Sequence, residues 1–256
     1  MSRNSEDILT DPPPSAADAR LVYGPEPLQF GDLRLPGGER APLAVVIHGG
    51  YWKATYNLIH TGHMCRALTE AGIATWNIEY RSVGVPEGAW PVAGEDVALA
   101  VEFVRELPVD QARVVLVGHS AGGQLALWAG KRAQLPVVAL APVSDVRESV
   151  VCTGLEGAFA QFMPPEHFAE GSPLELLPLG VPQIVIHGTQ DDGVPYAMSV
   201  RYVEAAGGEA QLVTLEDAGH FEPIDPLARE WPRTLEAICK LLLLPPPQAL
   251  ARSGDR

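Results

Sequence analysis

The sequence feature that most constrains the fold is the stretch of residues 114–123, which reads Val-Val-Leu-Val-Gly-His-Ser-Ala-Gly-Gly. An apolar run, a Gly-x-Ser-x-Gly motif and a helix start rich in small residues follow one another there. This order is typical of a nucleophile elbow, a tight strand-to-helix turn that projects a serine hydroxyl. Gly118 and Gly122 leave room for the turn, and the free amide of Ala121 can hold a developing negative charge. The alternative is a glycine-rich turn without chemistry, but the flanking patterns favour Ser120 as a nucleophile.

The rest of the chain predicts an α/β fold, because apolar runs alternate with amphipathic helical patterns. We predict strands at residues 43–47, 73–78, 114–117, 137–141, 183–186 and 211–215, with an antiparallel pair within 21–35. We predict helices at residues 57–71, 94–107, 121–132, 195–206 and 226–243. A mostly parallel sheet of about eight strands with helices on both faces accounts for this order.

The 256 residues fit one large domain at residues 19–244. The ends, residues 1–18 and 245–256, are proline-rich or polar, and we expect them to be flexible and to lie outside the core. Residues 147–179 form a connection far longer than usual, which predicts a short helical cap over the strand ends. The alternative is a pair of packed surface helices with no role in binding.

Composition excludes several classes of partner. The net charge of −14 leaves no basic surface for nucleic acid or anionic lipid. No apolar stretch approaches the ~20 residues that cross a bilayer, and no secretory leader is visible, so we expect a cytoplasmic protein without a membrane partner. Cys65, Cys152 and Cys239 are odd in number and far apart, which argues against disulfides. His60 and His63 lack a third ligand of matching spacing, so we predict a helix surface near the site and no metal.

An unaided serine hydroxyl is a weak nucleophile that needs a base and an orienting carboxylate. Two segments supply them, each directly after a predicted strand: residues 187–195 contain Asp191 and Asp192, and residues 217–221 contain His220. The carboxyl ends of strands in open α/β sheets form one edge, at which sites are built. The sequence therefore predicts a triad in the chain order serine, aspartate, histidine.

The remaining histidines and acids are weaker candidates. His119 and His187 flank structural motif positions, and we predict that they make backbone contacts. Asp145 follows another strand and is an alternative orienting acid, although together with Ser144 it also suits a helix cap.

The pentad His-Gly-Gly-Tyr-Trp at residues 48–52 directly follows the first predicted parallel strand. Glycines there let the backbone approach a substrate, so an amide of Gly50 or Tyr51 would pair with that of Ala121 to form an oxyanion hole. A tight turn with aromatic packing is the alternative.

With its Ser120, Asp191, His220 order and this loop, the chain resembles the α/β-hydrolase superfamily over about residues 33–243. The family pattern His-Gly-x-x-Asp-x-x-Val-Pro implies Asp191 rather than Asp192 as the orienting acid. His-Gly-Gly-x-Trp is similar to the motif of kynurenine formamidases, the arylformamidases that hydrolyse N-formylkynurenine, although related bacterial esterases carry the same pentad. Prolyl-oligopeptidase-type peptidases share the catalytic order but resemble only this hydrolase half, and no residues remain for a propeller.

Several side chains are candidates for a substrate-binding wall because they follow strands, lie in the loop or belong to the cap. The candidates are Trp52, Tyr80, Arg81, Phe159, Phe162 and Phe221. Arg81 is the best-placed cation for a substrate carboxylate, with pairing to an acid such as Glu79 or Glu95 as the alternative.

We predict hydrolysis of a small-molecule ester or amide through an acyl-enzyme, without a cofactor. The first hypothesis is an arylformamidase-like amide hydrolase, and the second is a carboxylesterase for short acyl esters. A non-catalytic binding protein on the same fold is a third hypothesis of a different class. A homodimer is one assembly that the sequence allows.

Overall fold

The computed structural model describes residues 4–12, 14–37, 40–148 and 160–246. The strands are β1 Ala19–Val22, β2 Phe30–Arg34, β3 Leu43–Ile47, β4 Ala74–Ile78, β5 Val114–His119, β6 Val137–Leu140, β7 Gln183–Gly188 and β8 Ala210–Leu215. They form one sheet in the order β1-β2-β4-β3-β5-β6-β7-β8. β1 pairs antiparallel with β2 and β2 with β4, and all other neighbours are parallel. The predicted eight-stranded, mostly parallel α/β sheet is confirmed.

The central strands are continuous apolar runs because both of their faces are covered. Every residue of β3, β4, β5, β6 and β7 is buried. Alternate residues of β3 belong to two separate apolar clusters, Val45 to one and Val46 to the other. Side chains alternate between the two faces of a strand, so each cluster is the core of one face. β1 and β8 lie at the sheet edges; β1 alternates in exposure, and most residues of β8 are partly exposed.

The helices cover both faces. Those with both ends in the described ranges are α1 Gly62–Glu70, α2 Val92–Glu102, α3 Ala121–Ala133, α4 Phe168–Gly171, α5 Tyr196–Ala206 and α6 Trp231–Leu241. Residues of α2, α3 and α5 pack into the first cluster, and residues of α1 and α6 into the second. The helix predicted at residues 57–71 is divided into a 3-10 segment, Leu58–Thr61, and α1. No helix in the described ranges is long and apolar enough to cross a membrane.

The N-terminal region differs from the prediction. Ser5–Leu9 forms a 3-10 helix in which Asn4 and Asp7 make a reciprocal capping box. Ile8 is only 3% exposed and packs into the second cluster. The expectation that residues 1–18 lie outside the core is therefore wrong for this helix, because Ile8 and the partly buried Leu9 pack against the second cluster.

Of the predicted cap at residues 147–179, residues 149–159 lie outside the described ranges. Residues 160–179 pack against the body of the protein. Phe162 is fully buried, and the Gln124 side chain of α3 donates to the Gly171 carbonyl at 2.7 Å. Lys131 of α3 donates to the Pro178 carbonyl at 3.1 Å. This part of the connection covers α3. In the tail, residues 245 and 246 are exposed, and residues 247–256 lie outside the described ranges.

Candidate active site

Ser120 lies between β5 and α3 with φ 56° and ψ −119°. Such backbone angles are rare outside glycine and are retained where the surrounding structure enforces them. The neighbouring glycines permit the turn: a Cβ on Gly118 would lie 2.2 Å from the Gly122 carbonyl oxygen, and a Cβ on Gly122 would lie 2.2 Å from that of Ile47. The strand, turn and helix expected of a nucleophile elbow are therefore all present.

Asp191 and His220 are brought together from the loops after β7 and β8. His220 Nδ1 donates to Asp191 Oδ2 at 2.7 Å. Asp191 Oδ1 accepts the backbone amides of Gly193 at 2.8 Å and Val194 at 2.7 Å. The carboxylate of Asp191 is thereby fixed in position, and its other oxygen faces the imidazole.

The alternative acids lie elsewhere. Asp192 is on the wall of a cavity but makes no contact with His220. Asp145 Oδ1 accepts the amide of Glu148 at 3.1 Å, as the helix-cap alternative predicts.

His187 is a site residue whose importance the sequence analysis missed. It is fully buried, and its Nε2 lies 3.1 Å from Asp191 Oδ2 and 3.0 Å from the Val194 carbonyl. Because both of these neighbours are acceptors, Nε2 carries the proton, and Nδ1 accepts from Ser199 Oγ at 2.7 Å. The predicted backbone contact exists, but the contact with the carboxylate is additional.

The charge of Asp191 is stabilised by these donors. Burial acts to raise the pKa of Asp191, but the hydrogen bonds from His187 and His220 outweigh it and hold the pKa well below its usual value. The group is therefore an anion throughout the neutral range.

His119 connects the serine turn to the His220 loop. Its Nε2 donates to the His220 carbonyl at 3.0 Å, and the two rings lie 4.7 Å apart. Burial, with the nearby His220, lowers the pKa of His119 to about 3, so its ring is neutral.

Ser120 and His220 line one cavity, although Ser120 Oγ makes no hydrogen bond with any described residue. Catalytic hydrogen bonds are often long before substrate binds.

The loop after β3 passes directly beside the serine. A Cβ on Gly49 would lie 2.9 Å from the Ser120 Cβ. Gly50, Tyr51 and Trp52 have φ values of 111°, 56° and 51°. The backbone amides of Gly50, Tyr51 and Ala121, the predicted oxyanion donors, donate to no other residue in the described part of the chain.

Buried polar groups hold this loop from behind. His48 Nε2 lies 2.9 Å from Glu79 Oε1, and the Tyr80 hydroxyl donates to the His48 carbonyl at 2.9 Å. His60 Nε2 accepts the Gly49 amide at 3.2 Å. The sequence predicts a helix-surface position for His60, whereas this residue is buried and supports the loop.

Two aromatic candidates for substrate binding lie in the core. Trp52 is 1% exposed, donates to Gln124 Oε1 at 3.0 Å and stacks on the fully buried Phe162 at 4.3 Å between ring centroids. Neither of them lines the cavity. The positive φ at Trp52 turns its side chain inward, a change of direction that the pentad alone could not reveal.

Tyr80 and Arg81 also differ from the prediction. Tyr80 is fully buried behind the loop after β3. Arg81 Nε and Nη2 donate to the two carboxylate oxygens of the buried Asp96 at 2.9 and 2.7 Å. Arg81 is paired with an acid, as the alternative held, but the acid is Asp96 rather than Glu79 or Glu95. Phe159 lies outside the described residues.

A cavity of about 470 Å³ opens at this edge of the sheet. Its walls come from residues 4–9, 50–60, 119–120, 190–193 and 219–222, and they include Tyr51, Ser120, His220 and the predicted Phe221. Within the described ranges no group of three or more histidine, cysteine, aspartate or glutamate side chains is placed to hold a metal ion.

Two family models match the chain. One, described as BD-FAE, matches residues 32–146, and the other, described as the prolyl oligopeptidase family, matches residues 92–231. The curated protein "Probable carboxylesterase 5" of Arabidopsis thaliana is 27% identical over an alignment of 150 positions, which covers 49% of this chain and 46% of that protein. The chain therefore matches less than half the length of this relative.

Solved esterase structures share the fold. Esterase 2 of Thermogutta terrifontis, phosphonylated by sarin, has a TM-score of 0.76 at 20% identity and covers 91% of this chain and 96% of its own. Esterase B of Lactobacillus rhamnosis has a TM-score of 0.75 at 18% identity, covering 98% and 93%. A truncated carbohydrate esterase from gut microbiota has a TM-score of 0.73 at 21% identity, covering 88% and 95%. These likenesses establish the α/β-hydrolase fold.

Proposed function

Because the chain belongs to the prolyl oligopeptidase family, we propose that it is a serine hydrolase of the esterase type, with Ser120 as nucleophile, His220 as general base and Asp191 as orienting acid. The observation that carries this proposal is the 2.7 Å bond between His220 and Asp191 beside the cavity that Ser120 also lines. The names of the curated relative and of the structural neighbours agree with an esterase.

The reaction proceeds in two halves. His220 Nε2 removes the proton of Ser120 as its oxygen attacks the ester carbonyl, and Asp191 stabilises the imidazolium that forms. The amides of Ala121 and of Gly50 or Tyr51 stabilise the oxyanion, and each such donor is typically worth about 100- to 1,000-fold in rate. His220 then protonates the departing alcohol, and water repeats the sequence on the acyl-enzyme.

The environment of Arg81 favours an ester over N-formylkynurenine. This arginine was the candidate cation for a substrate carboxylate, but Asp96 neutralises it and it lies off the cavity wall. An arylformamidase-like activity remains the second candidate, because Tyr51 of the His-Gly-Gly-Tyr-Trp pentad does line the cavity.

Two measurements test the proposal. A fluorophosphonate probe should label the native protein stoichiometrically and should not label Ser120→Ala; an unlabelled native protein would favour a non-catalytic binder. Turnover of p-nitrophenyl esters of two to eight carbons, a range chosen to probe pocket depth, should then exceed that of N-formyl arylamines. The reverse preference would establish the second candidate.

A further inference from the structure

Three carboxylates lie on the walls of the cavity that contains Ser120. Glu6 comes from the N-terminal 3-10 helix, Asp192 from the loop after β7, and Glu222 from the segment after His220. None of the three forms an ion pair with a described lysine or arginine. No lysine or arginine is among the described residues that line the cavity.

Two of the three histidines on the cavity wall, His60 and His119, do not supply the missing positive charge. His60 and His119 line its floor, and Nδ1 of each is buried without a hydrogen-bond partner. Burial lowers the pKa of His119 to about 3 and lowers that of His60 well below its usual value. Both rings are therefore neutral at pH 7, and the fixed charge facing a bound substrate is negative.

We propose that this cavity selects esters that carry a positive charge, accepts neutral ones, and discriminates against anionic esters of the same size. The proposal rests on the esterase function proposed above. Like charges within a few ångströms repel each other even in water. Each carboxylate should therefore lower the affinity for an anionic substrate on the order of threefold. Because Glu6 belongs to the N-terminal 3-10 helix, part of this charge selectivity comes from a segment far in sequence from Ser120, Asp191 and His220.

Matched substrates provide the test. One set varies the acyl group: the p-nitrophenyl esters of pentanoate (neutral), of glutarate as the half-ester (anionic) and of 4-(trimethylammonio)butanoate (cationic). A second set varies the leaving group by comparing butyrylthiocholine with its uncharged 3,3-dimethylbutyl thioester analogue. In at least one set the cationic substrate should have the highest kcat/KM. Its kcat/KM should exceed that of the anionic ester in the first set, or that of the neutral thioester in the second, by at least about tenfold. This ratio should fall as salt is raised.

The variant Glu6→Gln/Asp192→Asn should raise the ratio of kcat/KM for the anionic ester to that for the neutral ester about tenfold, since two repulsions of the size given above are removed. Glu95→Gln/Glu204→Gln makes the same change of charge at exposed positions off the cavity wall and should leave the ratios unchanged. Ratios near one in both sets, with normal turnover of the neutral esters, would overturn the charge selection and leave the esterase proposal intact. Absence of turnover of every ester, together with absence of fluorophosphonate labelling, would instead reject the esterase.

Discussion

At the scale of single residues, the site depends on the donors that converge on Asp191. Two backbone amides, of Gly193 and Val194, hold one oxygen, and the two imidazoles of His187 and His220 hold the other. A carboxylate with this many donors stays ionised and cannot rotate away from the base. We therefore expect His187 to affect the proposed catalysis through Asp191, without touching the substrate.

His187→Leu should lower kcat roughly 10- to 100-fold while KM changes little, because a hydrogen bond to a charged group is worth about 1.5–3 kcal/mol. His187→Gln retains a donor and should recover part of the loss. The measurement is the separation of kcat from KM on a neutral ester, with urea unfolding of each variant. His167→Leu, at a partly exposed position, is the matched control. A folded His187→Leu protein with native kcat would contradict this role.

The sequence predicted residue types and chain positions better than side-chain directions. The elbow motif located Ser120, and the segments after β7 and β8 located Asp191 and His220, since strand ends converge on one edge. The same logic failed for Tyr80 and Arg81, which also come after a strand but turn into the interior. A sequence reveals which residue types lie beyond the end of a strand, whereas the rotation of the chain as it leaves the strand depends on tertiary contacts.

At the scale of elements, the elbow requires α3 to cross β3 and β5 at close range. The backbone of α3 at Gly122 approaches the Ile47 and His48 carbonyls so closely that a Cβ would lie 2.2 and 2.4 Å from their oxygens. The apolar runs that predicted the strands also explain why backbone approaches backbone there, since these strands are buried on both faces. The helix boundaries were less predictable: the 57–71 pattern contains a change from 3-10 to α geometry at Gly62.

Gly122→Ala should destabilise the protein by about 1–3 kcal/mol or more, because the added methyl group meets backbone atoms that cannot rotate away. It should also lower activity by displacing Ser120. Gly208→Ala is the matched control, since a Cβ there meets nothing within 4 Å. Urea unfolding of both variants decides the matter. If Gly122→Ala and Gly208→Ala had the same free energy of unfolding, the close approach of α3 to β3 would contribute nothing to stability.

At the scale of the whole molecule, the cavity is a convergence of segments that are far apart in the chain, from residues 4–9 to residues 219–222. The contribution of Ser5–Leu9 could not be anticipated because the proline-rich composition around it is typical of a loose end. Its docking depends on burial of Ile8 against apolar groups that only the folded molecule provides.

The same convergence gathers histidines into one buried group. The His60 ring lies 5.7 Å from that of His48 and 5.9 Å from that of His119, and the His119 ring lies 4.7 Å from that of His220. These four residues come from the loop after β3, the 3-10 segment Leu58–Thr61, the end of β5 and the loop after β8. Folding therefore removes titratable rings from water, which links the stability of the whole molecule to pH.

Stability should fall as the pH drops below neutrality. Burial lowers the pKa of His119 from 6.5 to about 3 and also lowers that of His60, so below pH 6.5 the unfolded chain binds protons that the folded protein excludes. Each of these two histidines should lower the free energy of unfolding by up to about 1.4 kcal/mol for every pH unit of acidification. Asp191 does not contribute in this window, because its pKa is already 3.8 in the unfolded chain and lower when folded.

Urea unfolding at pH 7, 6 and 5 measures this dependence, and His119→Gln should reduce its slope by about one proton. The matched control is His167→Gln, at a side chain that is one-third exposed. A histidine pKa raised by an ion pair would give the free energy of unfolding the opposite pH dependence, because stability would then increase on acidification. The direction of the slope alone therefore distinguishes burial from ion pairing. A native slope unaffected by His119→Gln would show that this ring is protonated, or hydrated, within the folded protein.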